Sequence, residues 1–216
     1  MWLSPSTLRD ESCRAGFPLD AEQAERLSAY LRLVVEFNTQ INLVSAGDEE
    51  ELMRLHGLDF LPLLSDPGTE PLVDIGAGAG FVGIAAAICR PGRTVILLEP
   101  GIRRAFFLGQ CRARLGLEVR IVPKDLEGAL GDLPRGDLLF TARALPKKER
   151  VLRRLGRLRP EPHRLALFLG ADAEDLAAQL RVWYTVDRMI PLPFRTNGRL
   201  AFLRHVSRET WAGSSA

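Results

Sequence analysis

The chain has few of the residues that cross-link or metallate small proteins. It has three cysteines, Cys13, Cys89 and Cys111, and three histidines in 216 residues. No two cysteines form a C-x-x-C pair and no His/Cys spacing suits a metal, so a disulfide scaffold and a zinc module are excluded and no metal is expected. A reducing, cytoplasmic setting is the natural expectation. Lysine is scarce too: Lys124, Lys147 and Lys148 stand among 29 basic residues, the others being arginine. Arginine is the better fork for phosphates and base edges. With a net charge of only +2, and with arginine-rich codon usage as an equal explanation, composition alone does not establish a nucleic-acid partner.

Long apolar runs are also missing. Arg9, Asp10, Glu11 and Arg14 interrupt the N-terminus, so no secretory leader is expected. The most apolar stretch, 72–89, contains Asp74 and is broken by Gly76, Gly78, Gly80 and Gly83. It reads as strand, turn and helix rather than a membrane span. What remains, 46% hydrophobic and 26% charged, is the composition of an ordinary globular domain. A chain of this length buries about 70% of its unfolded surface.

Residues 1–19, with Pro5, Gly16, Pro18 and no periodicity, read as a flexible arm. A helical cap is expected over 20–66. Asp20 starts its first helix with Gln23 in capping-box position, and Ala24, Leu27, Leu31, Val34 and Phe37 share one face. Asp48, with Glu51 three residues later, starts a second helix running to 64. From 71 the rhythm changes. Strands are expected at 72–75, 94–99, 119–122, 137–140 and 165–169, with helices at 81–90, 102–115, 146–158 and 173–180. A closing hairpin of 182–192 and 199–206 would turn at Asn197-Gly198. This alternation builds an α/β domain over 71–206: a doubly wound, mostly parallel, seven-stranded, Rossmann-like sheet with helices on both faces. Residues 207–216 form a tail.

The segment Asp74-Ile75-Gly76-Ala77-Gly78-Ala79-Gly80-Phe81 lies where the first strand turns into a helix. Glycines there let backbone approach a ligand. Glu99 ends the second strand, 23 residues after Gly76, placed to accept hydrogen bonds from ribose hydroxyls. Together they point to a nucleoside-containing cofactor. A literal G-x-G-x-x-G at Gly78, Gly80 and Gly83 begins late, and Asp74 precedes the turn. A nicotinamide-dependent oxidoreductase is therefore the weaker alternative, and it lacks a credible proton donor. His56 and Asp59 are three apart and share a helix face, with no third ligand to make a metal site. Lys147, Arg150, Arg154 and Arg157 recur at helical spacing, either a phosphate-neutralising stripe or a solvated face.

Read in order, Asn42-Leu43-Val44, His56-x-Leu58-Asp59, the glycine segment through Ile84, Leu97-Leu98-Glu99, Arg103-Arg104 with Phe107-Leu108, and Ala142-Arg143-Ala144 resemble the RsmG (GidB) family over about residues 22–206. The resemblance implies a class I methyltransferase that moves a methyl group from S-adenosylmethionine to N7 of a guanine in bacterial 16S ribosomal RNA, naked or in a small-subunit precursor; a monomer with no membrane partner is expected. By the same resemblance Gly76, Ala77, Gly78, Phe81, Glu99, Leu126, Glu127 and Arg143 hold the cofactor. Arg143 also helps shape the base pocket as the catalytic candidate, and Asn42, His56, Asp59 and Arg199 meet substrate. The chain departs from the family pattern at three places. Leu55 separates Arg54 from His56, Val82 replaces a common proline, and Leu169 ends a strand that usually carries lysine; this last leaves a noncatalytic cofactor-binding relative as an alternative. The chemistry suits the residues present. Guanine N7 carries no proton, so alignment can supply roughly 7–11 kcal/mol without a general base. Cytosine C5 methylation would need a cysteine nucleophile. Amine methylation commonly places Asn/Asp-Pro-Pro-aromatic where Thr141-Ala142-Arg143-Ala144 stands.

Overall fold

The computed structural model describes residues 3–206 apart from 46, 146 and 160. The expected tail at 207–216 and Pro146, expected to open a helix, lie outside the described residues.

Alternating side chains along the central strands build two apolar cores. In β1 (Leu72–Ile75) Leu72 joins one cluster while Val73 and Ile75 join the other, and in β2 (Val95–Leu98) Val95 and Leu97 oppose Ile96 and Leu98. Strands apolar on both faces belong in the middle of a sheet covered on both sides. With β3 (Val119–Val122), β4 (Leu138–Arg143), β5 (His163–Leu169), β6 (Tyr184–Pro191) and β7 (Arg199–His205) they form one seven-stranded sheet in the order β3-β2-β1-β4-β5-β7-β6. All pairings are parallel except those that β7 makes with β5 and β6. The helices are α1 (Pro5–Arg14), α2 (Ala21–Ile41), α3 (Glu49–Glu51), α4 (Gly83–Cys89), α5 (Ile102–Leu115), α6 (Leu126–Ala129), α7 (Lys148–Leu158) and α8 (Ala173–Leu180). The first core gathers α1, α2, α4 and α5, the second α6, α7 and α8. Strand order reverses between β1 and β4, and ligands bind at the C-terminal edge of such a switch point.

The capping box at α2 forms as its sequence predicts, Gln23 N–H donating to Asp20 at 2.8 Å and Asp20 N–H to Gln23 at 3.0 Å. Three expectations need correction. The arm expected over 1–19 contains α1: Ser4 caps it, Pro5 fills its first turn, and Leu8 is fully buried. Proline at a helix start and a left-handed Gly16 (φ 81°) just past its end are helix signals rather than breakers. The single helix expected at 48–64 is instead α3 running into a π-helix, Leu52–Gly57, followed by a 3-10 turn, Leu61–Ser65. Its five-residue bond, Leu58 N–H to the Met53 carbonyl at 2.8 Å, takes up an extra residue. Leu55, the residue between Arg54 and His56, lies in that turn. Finally, Asn197-Gly198 does not make a two-residue turn. The chain leaves the ladder at Pro191 and rejoins it at Arg199, with the Leu192 N–H bonded to the Gly198 carbonyl at 3.0 Å.

Far from the glycine loop, His163 is buried at the start of β5. Its ring stacks on His205 at 4.3 Å and holds the Tyr184 hydroxyl at 3.0 Å. Burial pushes the His163 pKa down to about 4 and that of His205 down as well. The unfolded chain takes up these protons below about pH 6.5 while the folded chain resists. The contribution of His163 to stability is therefore constant above pH 6.5 and falls between 6.5 and 4, by at most about 1.4 kcal/mol per pH unit; the depressed His56 adds to this loss, while the raised carboxyl of Asp74 opposes it. Between pH 7.5 and 5 the urea midpoint of the wild-type chain should fall more, or rise less, than that of His163→Phe; equal changes contradict the assignment.

Candidate functional site

Two cavities meet at the C-terminal edge of β1 and β4. The narrower, about 280 Å³, lies over the glycine loop and is lined by Val44, Gly76, Gly78, Phe81 and Arg104. The wider, about 880 Å³, opens towards α7 and α8 and is lined by Asp59, Lys147, Arg150, Leu169 and Arg195. His56, Arg143 and Ala144 line both.

The loop is built to expose backbone. Gly76 has φ 67°, a left-handed value that strains any residue with a Cβ. A Cβ on Gly76 would find only Leu145 Cδ1 at 3.5 Å, and one on Gly78 only the Gly76 carbonyl at 3.8 Å, so the space above the loop is open. Gly83 has a different role. A Cβ there would stand 2.2 Å from Leu97 Cδ2 and 2.9 Å from Asp74 Oδ2, so α4 can sit this close to the sheet only through glycine. The Gly83 N–H donates to Asp74 Oδ2 at 2.9 Å. Burial raises the Asp74 pKa to about 7, against the pull of that N–H and of Arg143. From below, the buried Tyr30 of α2 donates to the Ala79 carbonyl at 2.8 Å and meets Phe81 edge-on at 6.2 Å. At the end of β2 the two oxygens of buried Glu99 accept from Gly78 N–H and Gly101 N–H, each at 2.8 Å.

The common wall is a second construction. Arg143 is the last residue of β4, its guanidinium 4.8 Å from the centre of the Phe81 ring. It donates to His56 Nδ1 at 2.8 Å, to the His56 carbonyl at 3.3 Å and to Asp59 Oδ2 at 3.4 Å. Arg195, from the β6–β7 connection, donates to the same Asp59 oxygen at 2.6 Å and to the Leu55 carbonyl. Carbonyls at the end of the π-helix have no intrahelical partner, which frees Leu55 and His56 to accept. His56, which accepts from Arg143, is neutral: burial first, then Arg143 and Arg195, push its pKa down to about 4. Burial raises the Asp59 carboxyl while the two guanidiniums lower it, and its Oδ1 has no hydrogen-bond partner among the described residues. Next along the chain, Ala144 takes φ 51° and turns the backbone out of the sheet between the cavities.

The structure thus brings Gly76, Ala77, Gly78, Phe81, His56 and Arg143 to one cleft, with Glu99 beneath and Asp59 behind. The other expected site residues line neither cavity. Asn42 caps α2 in a left-handed conformation, and its neighbours Leu43 and Val44 reach the cleft instead. Leu126 is buried in the second core; Glu127 pairs with Arg154 of α7 at 2.7 Å. Arg199 opens β7 opposite Leu169 and donates to the Gly198 carbonyl at 2.9 Å. Of the basic stripe Arg154 is spent on an ion pair, as are its neighbours Arg153, with Glu149, and Lys148, with Asp172. Sequence reasoning missed Tyr30 and Arg195. Tyr30 sits on the apolar face of a strongly periodic helix; Arg195 carries no local signal, since its partner Asp59 is distant in sequence.

A mostly parallel seven-stranded sheet closed by an antiparallel strand, with a glycine loop after β1 and an acid after β2, has the fold of the class I methyltransferases. A SAM dependent methyltransferase from Aquifex aeolicus superposes with a TM-score of 0.53 at 16% identity, covering 71% of this chain and 93% of that one. Residues 23–206 match the family described as GidB, rRNA small subunit methyltransferase G, and the chain belongs to that family. Among its relatives, the ribosomal RNA small subunit methyltransferase G of Nitrosospira multiformis is 36% identical over 128 residues, 58% of this chain and 59% of that protein. The protein of the same name from Halorhodospira halophila is 37% identical over 161 residues, 74% of this chain and 76% of that protein.

Glu99→Gln tests the loop's anchor. An amide can accept from one of the two backbone N–H groups but turns a donor towards the other. Losing a hydrogen bond to a charged acceptor costs roughly 1.5–3 kcal/mol. Calorimetry should show S-adenosylmethionine binding at least about tenfold weaker; unchanged affinity would remove Glu99 from the site.

Proposed function

We propose that this chain transfers a methyl group from S-adenosylmethionine to N7 of a guanine in 16S ribosomal RNA, working as a cytoplasmic monomer on the RNA or a small-subunit precursor. The common wall carries this reading: a ligand on the glycine loop and a base in the wider cavity would share His56, Arg143 and Ala144. The cleft fits the cofactor, because bare backbone at Gly76 and Gly78 leaves room for it and the carboxylate of Glu99 can accept ribose hydroxyls. Leu126 and Glu127 would serve its adenosine end. When bound, S-adenosylmethionine supplies a methyl group on a cationic sulfur.

The chain's own residues position rather than exchange protons. Arg143 stays charged at every accessible pH, and its hydrogen bonds to the 55–59 segment fix the wall against which the base would lie. His56 stays neutral well below physiological pH. Within the cleft Asp74, near 7, is the group that titrates in the working range. It faces the cofactor's side and lies under the loop, so its protonation should appear in cofactor affinity rather than in the rate of the bound complex. Asn42 and Arg199 would meet RNA outside the cavities, along with Lys147 and Arg150 at the lip of the wider one.

Methyl transfer from labelled cofactor to 16S RNA lacking the modification tests this directly. The product nucleoside should be 7-methylguanosine. Single-turnover rates at saturating cofactor should be flat from about pH 6 to 8.5, while cofactor affinity weakens as pH falls through 7. A rate rising log-linearly with pH would mean that a proton leaves the target, and would contradict N7 as the acceptor.

A further inference from the structure

The most exposed large apolar side chains among the described residues are Ile102, 85% exposed, and Phe106, 57% exposed, one turn apart at the start of α5. Single exposed apolar residues are ordinary. This pair has more around it: Arg103 and Arg104 beside it are exposed as well, with no ion pair among the described residues. Arginines elsewhere on the surface do find carboxylates, as Arg114 of the same helix finds Glu36 at 3.0 Å. The next turn is open, and a Cβ on Gly109 would touch nothing within 4 Å. This patch adjoins the site. Arg104 lines the narrower cleft with Val44 and Phe81, and Gly101, just before the helix, donates to Glu99.

We propose that this surface is a stacking platform for an unpaired nucleotide of the RNA substrate, the base lying on Phe106 and Ile102 and the adjoining phosphates meeting Arg103 and Arg104. A planar aromatic ring flanked by guanidiniums is how proteins hold single-stranded RNA without reading its sequence. Other occupants fit less well. Two side chains are far too little apolar area for a protein interface, which needs about 1,200 Å² or more. A second copy would set Arg103 and Arg104 against their own kind with no carboxylate between them. The inference rests on the proposed rRNA substrate and adds a contact remote from the target base.

The experiment measures RNA affinity, the KM for RNA, kcat and cofactor affinity for the full chain, with naked 16S RNA and with small-subunit particles lacking the modification. Phe106→Ala should weaken RNA binding at least about fivefold, the low end for loss of one base–aromatic stack. KM for RNA should rise accordingly, with kcat and cofactor affinity unchanged. Phe106→Leu should be nearly as weak, because it keeps apolar area but loses the ring, and Phe106→Trp should restore binding. Arg103→Gln should lower the salt sensitivity of binding. Unchanged RNA affinity in Phe106→Ala overturns the platform while leaving the methyltransferase reading intact. So does full function in Phe106→Leu, which would indicate a merely apolar contact. Weaker binding to particles alone, with naked RNA unaffected, assigns the patch to a ribosomal protein and overturns it too. A wild-type chain that leaves 16S RNA unmethylated overturns both readings.

Discussion

The site depends on one constraint: a guanidinium at the end of β4 has to be held in a place largely withdrawn from water. Arg143 keeps 18% of its side-chain surface and Asp59 1%. A charge pair this buried is expensive to assemble, and removing one partner costs about 3–5 kcal/mol because the other is left uncompensated. The chain meets that cost with a segment from outside the sheet. Carbonyls at the end of the π-helix, the neutral ring of His56 and the carboxylate of Asp59 together engage both terminal nitrogens of Arg143, and Arg195 bonds to the same carboxylate and to the Leu55 carbonyl. The helical region before β1 is therefore a structural wall of the site. Without it the last residue of β4 would lose these hydrogen-bond partners for its guanidinium.

The same region fixes the other half of the site. Tyr30 reaches from α2 to the glycine loop, and its ring meets Phe81, on which Arg143 also lies. The His56 ring joins this cluster, tilted against Phe81 with centroids 5.3 Å apart. A shift of α2 would therefore move the loop and the wall together. Asp74 links both to the sheet, since its carboxylate holds the first turn of α4 while Arg143 acts on its charge. The geometry across which a methyl group would pass is set by packing and buried hydrogen bonds, as expected where catalysis rests on alignment.

Much of this was legible in the amino-acid sequence, for identifiable reasons. Strands buried on both faces announce themselves as short apolar runs, and β1 falls at 72–75 as read. Asp20 and Gln23 mark the start of α2. The glycine loop and Glu99 were visible because a strand, a tight turn and an acid recur at a fixed distance. What escaped was long-range. Ala142 and Arg143 have no strand propensity of their own; β4 extends to them because Arg143 pairs with Phe168 on β5. Arg195 meets Asp59 only once the sheet has brought the hairpin connection over the π-helix. The π-helix at Leu52–Gly57 likewise leaves no signal in the apolar pattern, which reads as one continuous helix.

The most direct measurement of the central claim is a double-mutant cycle between Asp59 and Arg143, read in single-turnover methyl transfer to 16S RNA at saturating cofactor. If Asp59 acts by holding Arg143 in the wall, Asp59→Asn should add little once Arg143→Lys is present. The coupling should then reach at least about tenfold in rate, or about 1.4 kcal/mol. Independent effects, the double variant slowed by the product of the two single losses, would mean that the two residues do not act through each other and would contradict the account.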